Sequence, residues 1–176
     1  LEEIAELLKK DFVVGLFQGR SEYGPRALGC RSIIASPQKP EMRDLVNMKI
    51  KFREEYRPFA PAVCDCDYLD YFERGCGDYS YMSFTVKAKD LAKEKAPAIV
   101  HVDGTSRVQE VKESLNPFFY KLLQAFKKVS GTAVLLNTSF NLKGEPIVET
   151  PADAVRTFVS SGLDYLVLEG YLLSKN

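Results

Sequence analysis

Thr132 to Val148, TAVLLNTSFNLKGEPIV, joins the most continuous apolar run of the chain to a cluster of short polar side chains. TAVLLN (132–137) has the composition of a strand buried on both faces. A buried strand of this kind delivers Asn137, Thr138, Ser139 and Asn141 to the open end of a sheet, where ligands of α/β proteins bind. Short hydroxyl and amide groups there suit phosphate oxygens or an amide-like group. They also suit a β-turn that uses Asn and Ser for its own backbone. Lys143 and Gly144 continue the loop.

Working outward, Asn116 and Pro117 supply a cap and first position for a helix to about Val129, with Phe119, Leu122, Leu123 and Phe126 on one face and Gly131 as its stop. Thr150 and Pro151 open a helix over 151–161 ended by Gly162, and 163–168 and 171–173 are closing strands. At the other end, Leu1, Ile4, Leu7 and Leu8 mark an amphipathic helix over the first ten residues. FVVGLFQ (12–18) and 32–35 read as short buried strands, 41–52 as a helix with Pro40 at its first position, 60–64 as a strand and 67–72 as a short helix. YMSFTVKA (81–88) alternates as a strand does, and 90–96 is a charged linker or helical turn. The run 98–102 reads as a strand that turns at Asp103 and Gly104 into a returning strand at 107–111. Strands and helices interleave irregularly with at least one hairpin, which predicts an α+β fold: a twisted mixed β-sheet with packed helices.

At 176 residues and 45% hydrophobic, the sequence fits one domain over 1–176 with a sizeable core. Twenty-four basic residues balance 24 acidic ones, which argues against a nucleic-acid partner held by bulk charge. The distribution is uneven: residues 19–57 carry nine Lys or Arg against five Asp or Glu, a local basic site suited to a small anion. The four cysteines read as reduced thiols, since a domain of this size is stable without staples. No apolar run reaches the length of a membrane span, so the expectation is a soluble, cytoplasmic protein. The chain opens on LEEIAELLKK without an initiator Met, so a domain excised from a longer protein is expected.

Cations gather at loops. GRSEYGPRALGCRS (19–32) holds Arg20, Arg26 and Arg31 among three glycines and a proline, and guanidinium forks on a stiff loop grip multiply charged anions. The same pattern serves a merely soluble turn. Lys51, Arg53 and Arg57 lie where a helix gives way to a proline-stiffened run, so Lys51 and Arg57 can converge; a solvated helix end is the plainer alternative. Arg107 follows the Asp103 turn. Ser139 as a hydrolase nucleophile would need the single histidine, His101, and no nucleophile elbow is present. Cys64, Cys66 and Cys76 lack zinc-ligand spacing, and neither a Walker loop nor a dinucleotide fingerprint occurs.

GRSEYGPRALGCRSIIASP (19–37), KFREEYRPFAPAV (51–63) and LNTSFNLKGEPIVETPADAVRTF (136–158), in this order, closely resemble the C-terminal domain of the O-carbamoyltransferases that modify nodulation factors and aminoglycoside or cephalosporin antibiotics. One departure is Cys30, where the family loop generally has asparagine. The resemblance implies a YrdC-like fold that binds ATP and carbamoyl phosphate and makes carbamoyl adenylate, releasing pyrophosphate and phosphate. It also implies a separate N-terminal, actin-like, metal-containing domain of the same full-length protein, which passes the carbamoyl group to a substrate hydroxyl. On the motif match, Arg26, Lys51 and Arg57 hold the carbamoyl-phosphate and triphosphate oxygens and are the catalytic candidates. Arg107 contacts phosphate, Asn137 and Ser139 orient the nucleotide, and Arg20, Arg53 and Asn141 are further binding candidates. Mg2+ is expected to come with the triphosphate, with no metal site built by the protein itself. The alternative is a YrdC-like module that binds a nucleotide or RNA without activating anything. The enzyme reading carries an expectation of its own: Lys51→Ala and Arg57→Ala abolish activity with little loss of stability.

Overall fold

The computed structural model describes residues 1–52, 54 and 57–175. In chain order the main elements are α1 (Glu2–Lys9), β1 (Val14–Phe17), β2 (Arg31–Ala35), α2 (Glu41–Val46), β3 (Ala60–Cys64), α3 (Tyr68–Tyr71), β4 (Val86–Lys87), α4 (Asp90–Lys95), β5 (Thr105–Ser106), β6 (Gln109–Val111), α5 (Pro117–Ser130), β7 (Val134–Ser139), α6 (Pro151–Ser160), β8 (Tyr165–Leu168) and β9 (Tyr171–Ser174). Seven strands form one mixed sheet in the order β6-β3-β7-β2-β1-β8-β9, and β4 pairs with β5 in a separate ribbon.

The TAVLLN run lies inside the sheet, with β7 antiparallel to both β2 and β3. Successive side chains point to opposite faces, so each face needs its own apolar cover. Val134 and Leu136 enter one cluster with Met42, Val46, Ile50 and Phe158. Leu135 enters the other with Leu8, Phe119, Leu122 and Phe126. The sheet is therefore packed between α1 and α5 on one side and α2, α4 and α6 on the other, which is why its central strands read as unbroken apolar runs.

The caps work as the sequence predicts. Asn116 Oδ1 accepts from Phe119 N at 2.9 Å, Gly131 ends α5 at φ 74°, and Thr150 and Asp153 form a reciprocal capping box with Pro151 at the first helical position. The single helix expected over 41–52 is instead α2 followed by a π-turn over Asn47–Lys51, which buries the consecutive residues Ile50 and Lys51. Phe52, left-handed at φ 45°, ends it. Lys49 ties the π-turn to Asp164 at 2.9 Å, and a side chain at Gly162 would lie 2.9 Å from the Lys49 carbonyl, so the close approach needs glycine.

Two strand expectations fail. Most of 81–88 is not strand: Asp78 accepts from Ser80 N and Oγ and winds Tyr79–Tyr81 into a 3-10 turn, and Met82 at φ 55° breaks the run, leaving Val86–Lys87 to pair. Nor do 98–102 and 107–111 form a hairpin. Pro97 starts a 3-10 turn over 97–99; the turn at Asp103 and Gly104 is present, but β5 beyond it pairs with β4 while β6 runs parallel to β3. Alternation and turn chemistry specify local shape; which strand supplies the ladder partner is decided by the sheet.

Candidate functional site

Strand directions collect the site. β7 runs opposite to β2 and β3, and β6 runs with β3, so the C-terminal end of β7 meets the N-terminal ends of β2, β3 and β6 at one edge. The residues preceding those starts, Arg26 and Ala27, Pro58 and Phe59, and Arg107, close with Asn137 and Ser139 around a recess of about 80 Å³.

The loop between β1 and β2 is built by a polar frame, half-buried at Glu22 and buried at Gln109 and Asn137. Glu22 Oε1 accepts from the backbone N–H groups of Leu28 and Cys30 at 2.7 Å each and of Arg31 at 3.3 Å. Asn137 donates to Ala27 O at 3.1 Å and to Gln109 Oε1 at 2.8 Å, while Gln109 donates to Leu28 O at 2.8 Å. Gly29, at φ 113°, lies against α5, where an added Cβ would fall 2.5 Å from Phe119. Arg31 belongs to this frame: buried over Phe17 at 3.5 Å, it donates to the carbonyls of Gln18, Gly19 and Cys30.

Two unmet groups mark the recess. Arg107 Nε and Asn137 Oδ1 are buried with no hydrogen-bond partner among the described residues. Burial, followed by the charge of Arg26, holds the Arg107 guanidinium below its ordinary pKa. Two guanidiniums sharing a small polar hollow repel each other until an anion lies between them. A donor and an acceptor left open together also suit a ligand that carries both oxygens and an N–H or O–H group.

Lys51, 6% exposed, reaches the same strand end. Its ammonium donates to Ser139 O at 2.6 Å, Asn141 Oδ1 at 2.8 Å, Asn141 O at 3.1 Å and Ser139 Oγ at 3.2 Å. Ser139 Oγ in turn lies 2.6 Å from Asn141 Oδ1. Lys51, Ser139 and Asn141 thus form one knot, with the lysine already holding as many acceptors as an ammonium serves. Arg57 is exposed and pairs with Glu54 at 3.0 Å next to Pro58, which lines the recess. Arg20 is exposed too; its neighbours Gly19 and Ser21 bond Glu169 and Glu149. Arg53 lies outside the described residues. The structure therefore brings Arg26, Arg107, Asn137 and Ser139 to one hollow, ties Lys51 and Asn141 to Ser139 without their lining it, leaves Arg57 beside Pro58 at its edge, and does not bring Arg20 to it.

Sequence reading missed Glu22 and Gln109. A carboxylate inside an arginine loop carries a signal, because a Gly-rich loop exposes backbone N–H groups in need of an acceptor. Gln109 carries none, since its role depends on the parallel pairing of β6. Cys30 does not line the recess: it sits 3.7 Å from Asn116 Nδ2, facing a second hollow of about 280 Å³ with Tyr23, Tyr81 and Leu115, and burial pushes its thiol up to about 11. All four cysteines are unpaired. Among the described residues no three His, Cys, Asp or Glu side chains form a metal-binding group, and no helix is long and apolar enough to cross a membrane.

Comparison with known proteins then gives the arrangement a context. A family model described as "Carbamoyltransferase C-terminus" matches residues 5–175. Nodulation protein NolNO of Sinorhizobium fredii is 44% identical over 173 residues, covering 97% of this chain and 25% of that protein. Nodulation protein U of Rhizobium tropici is 37% identical, covering 98% and 29%. The chain thus spans between a quarter and a third of the length of these relatives. Among solved structures, full-length HypF in a phosphate- and nucleotide-bound form superimposes with TM-score 0.68 at 18% identity, over 96% of this chain and 24% of that one. Sua5 from P. abyssi does so with TM-score 0.58 at 10% identity, over 97% and 51%. These two likenesses establish the fold as YrdC-like.

Proposed function

Because the chain belongs to the carbamoyltransferase C-terminal family, we propose that it performs the activation half of carbamoyl transfer: it binds ATP and carbamoyl phosphate and forms carbamoyl adenylate. The observation that carries this reading is the pairing of Arg26 and Arg107 over a hollow in which Arg107 Nε and Asn137 Oδ1 await partners. The nucleotide and phosphate held by the HypF neighbour support it.

Mass balance fixes the overall step. Carbamoyl phosphate, ATP and one water give carbamoyl adenylate, phosphate and pyrophosphate. Water cleaves the carbamoyl–phosphate linkage to leave carbamate; a carbamate oxygen then attacks the α-phosphorus, forming the C–O–P linkage as the bond to the bridging oxygen of pyrophosphate breaks. Every species but water is anionic, so barrier lowering comes from fixed cations and from holding the attacking oxygen in line with the leaving group. Arg26 and Arg107 hold phosphoryl oxygens. Asn137 Oδ1 accepts from an N–H or O–H of a substrate. Lys51 keeps the end of β7 in place and meets a phosphate oxygen when the Asn141 side chain yields. Arg57 closes the edge once it leaves Glu54. Mg2+ bound to the triphosphate would neutralise charge on the leaving pyrophosphate, with no ligand from the protein required.

The site that takes up the carbamoyl acceptor belongs, on this reading, to a further domain of a longer protein, in keeping with the chain's covering 25% and 29% of these relatives. The test is pyrophosphate release on mixing the chain with ATP, Mg2+ and carbamoyl phosphate. The reading predicts release that needs all three; saturable ATP binding with no release would leave a binding module instead.

A further inference from the structure

Two carboxamides, those of Gln109 and Asn137, are each oriented by a neighbouring carbonyl. Leu28 O and Ala27 O can only accept, so Gln109 meets the first through Nε2 at 2.8 Å and Asn137 meets the second through Nδ2 at 3.1 Å. Gln109 Oε1 is then the acceptor for the other Asn137 N–H, at 2.8 Å. All three bonds agree on one arrangement. Both hydrogens of the Asn137 amide are taken, while its Oδ1 is buried with no hydrogen-bond partner among the described residues. Asn137 lines the recess, as do Ala27, whose carbonyl holds its Nδ2, and Ala60, its partner across the sheet. Gln109 stands behind it, buried and off the recess wall.

An acceptor is the odd group in this site. Arg26 and Arg107, which share the recess with Asn137, only donate, and they suit phosphoryl oxygens. A fully ionised phosphate offers no hydrogen to Oδ1 and is repelled by it. The ligand group that meets Asn137 therefore carries an N–H or O–H. ATP has such hydrogens only on its adenine amine and ribose hydroxyls, and the recess, about 80 Å³, equals roughly two or three liquid waters. That is room for a carbamoyl group and too little for a nucleoside. The carbamoyl NH2 is the donor that remains.

We propose that Gln109 makes the site selective for a carbamoyl group over an acyl group of the same shape, by holding the Asn137 carboxamide so that Oδ1 takes the carbamoyl N–H. The inference rests on the activation reading and adds what tells its substrate from acetyl phosphate, which has methyl in place of NH2. Gln109 is a positioning residue: it bonds Asn137 and not the ligand. Without Oε1 of Gln109, Ala27 O alone holds the amide, which is then free to turn and oppose its own N–H to that of the ligand. A methyl group leaves Oδ1 buried and unpaired. Sites that hydrogen-bond a substrate N–H or O–H reject the analogue lacking it more strongly than apolar pockets reject a change of size.

Two inert phosphonates test this apart from charge recognition. Phosphonoacetamide keeps the carbamoyl NH2, and acetonylphosphonate has methyl in its place with the same carbonyl and phosphonate. Titration calorimetry measures both on the wild type, Gln109→Met and Gln109→Glu, and pyrophosphate release from ATP and carbamoyl phosphate is followed on the same samples. The wild type is expected to bind phosphonoacetamide about 10-fold or more tighter than acetonylphosphonate. Gln109→Met should bring the two within about threefold by weakening phosphonoacetamide alone; unchanged acetonylphosphonate binding certifies its fold. Gln109→Glu keeps an acceptor for the Asn137 N–H and should retain the preference. A wild type that binds the two within about threefold of each other, or binds neither, overturns the inference whatever the variants do. Oδ1 would then be met from within the protein, as by the Arg107 Nε–H. Equal weakening of both ligands by Gln109→Met, or a preference left intact, overturns the role of Gln109. Preference for phosphonoacetamide without any pyrophosphate release overturns the activation reading instead and leaves a site that only binds carbamoyl phosphate.

Discussion

Replacing Arg107 by leucine separates a binding residue from a structural one by the sign of two effects. Without ligand, the guanidinium is half buried, its Nε has no partner, and Arg26 repels it. An unsatisfied buried polar atom costs about 1–3 kcal/mol, so its removal offsets the lost packing of the side-chain stem, and the variant should melt within about 3 °C of the wild type or above it. With ligand the sign reverses. A hydrogen bond to a charged group is worth about 1.5–3 kcal/mol, which predicts ATP or carbamoyl phosphate binding weaker by about 10- to 150-fold. Ligand at about 100 Kd stabilises the wild type by about 2.7 kcal/mol, or about 5–11 °C in a domain of this size. At the same concentration, a variant binding about 30-fold more weakly gains about 0.9 kcal/mol, or about 2–4 °C. Differential scanning calorimetry with and without ligand, paired with titration calorimetry, reads both quantities. An Arg107→Leu protein that is destabilised by more than about 2 kcal/mol yet keeps the full ligand shift would refute the reasoning and make Arg107 a structural residue.

Three further outcomes follow from the same geometry. Lys51→Met should unfold in urea with a loss of about 1.5–3 kcal/mol, because it strips a charged donor from two carbonyls and two side-chain oxygens at the end of β7; a loss under about 0.5 kcal/mol would restore the expectation that Lys51 is dispensable for stability. Gly29→Ala should cost about 2 kcal/mol or more by denaturant unfolding, since it combines φ 113° with a Cβ 2.5 Å from Phe119, and ligand affinity should fall with it as the Arg26 loop lifts from α5. For acid unfolding, hydrogen bonds from Thr150 hold the Asp153 carboxyl at about 2, below the ordinary aspartate range. A depressed carboxyl stabilises the fold above its unfolded pKa and loses that contribution as pH falls from about 4 toward about 2; Thr150→Ala should flatten this part of the stability–pH curve, and an unchanged slope would remove the capping box from the account.

The fold was legible wherever a local rule and the sheet agree. TAVLLN reads as a buried strand because both of its faces are covered, and Asn116 with Pro117 or Thr150 with Pro151 marks a helix start whose satisfied N–H groups depend on nearby residues alone. The region 81–111 was misread because its short strands take their identity from remote partners: Gln109 is a strand residue only by lying beside Ala62. The site divides in the same way. Arg26 and Arg107 were visible as cations on turn-rich sequence, and Asn137 and Ser139 as polar residues ending an apolar strand. That Lys51 would point to carbonyls rather than into open space was not visible, because a π-turn re-phases its helix and no side-chain periodicity announces one. The polar frame of Glu22, Gln109 and Asn137 is not legible in the sequence, since it joins three segments that only the fold brings together.

If this site joins a carbamoyl group to adenylate, the identity of the nucleotide formed reveals it. The chain is incubated with carbon-labelled carbamoyl phosphate, ATP and Mg2+, and the nucleotides are read by mass spectrometry beside the pyrophosphate released. An adenosine monophosphate anhydride carrying the labelled carbamoyl group is expected, with one pyrophosphate for each. Recovery of ATP unchanged, or of ADP and phosphate without label on any nucleotide, would contradict it.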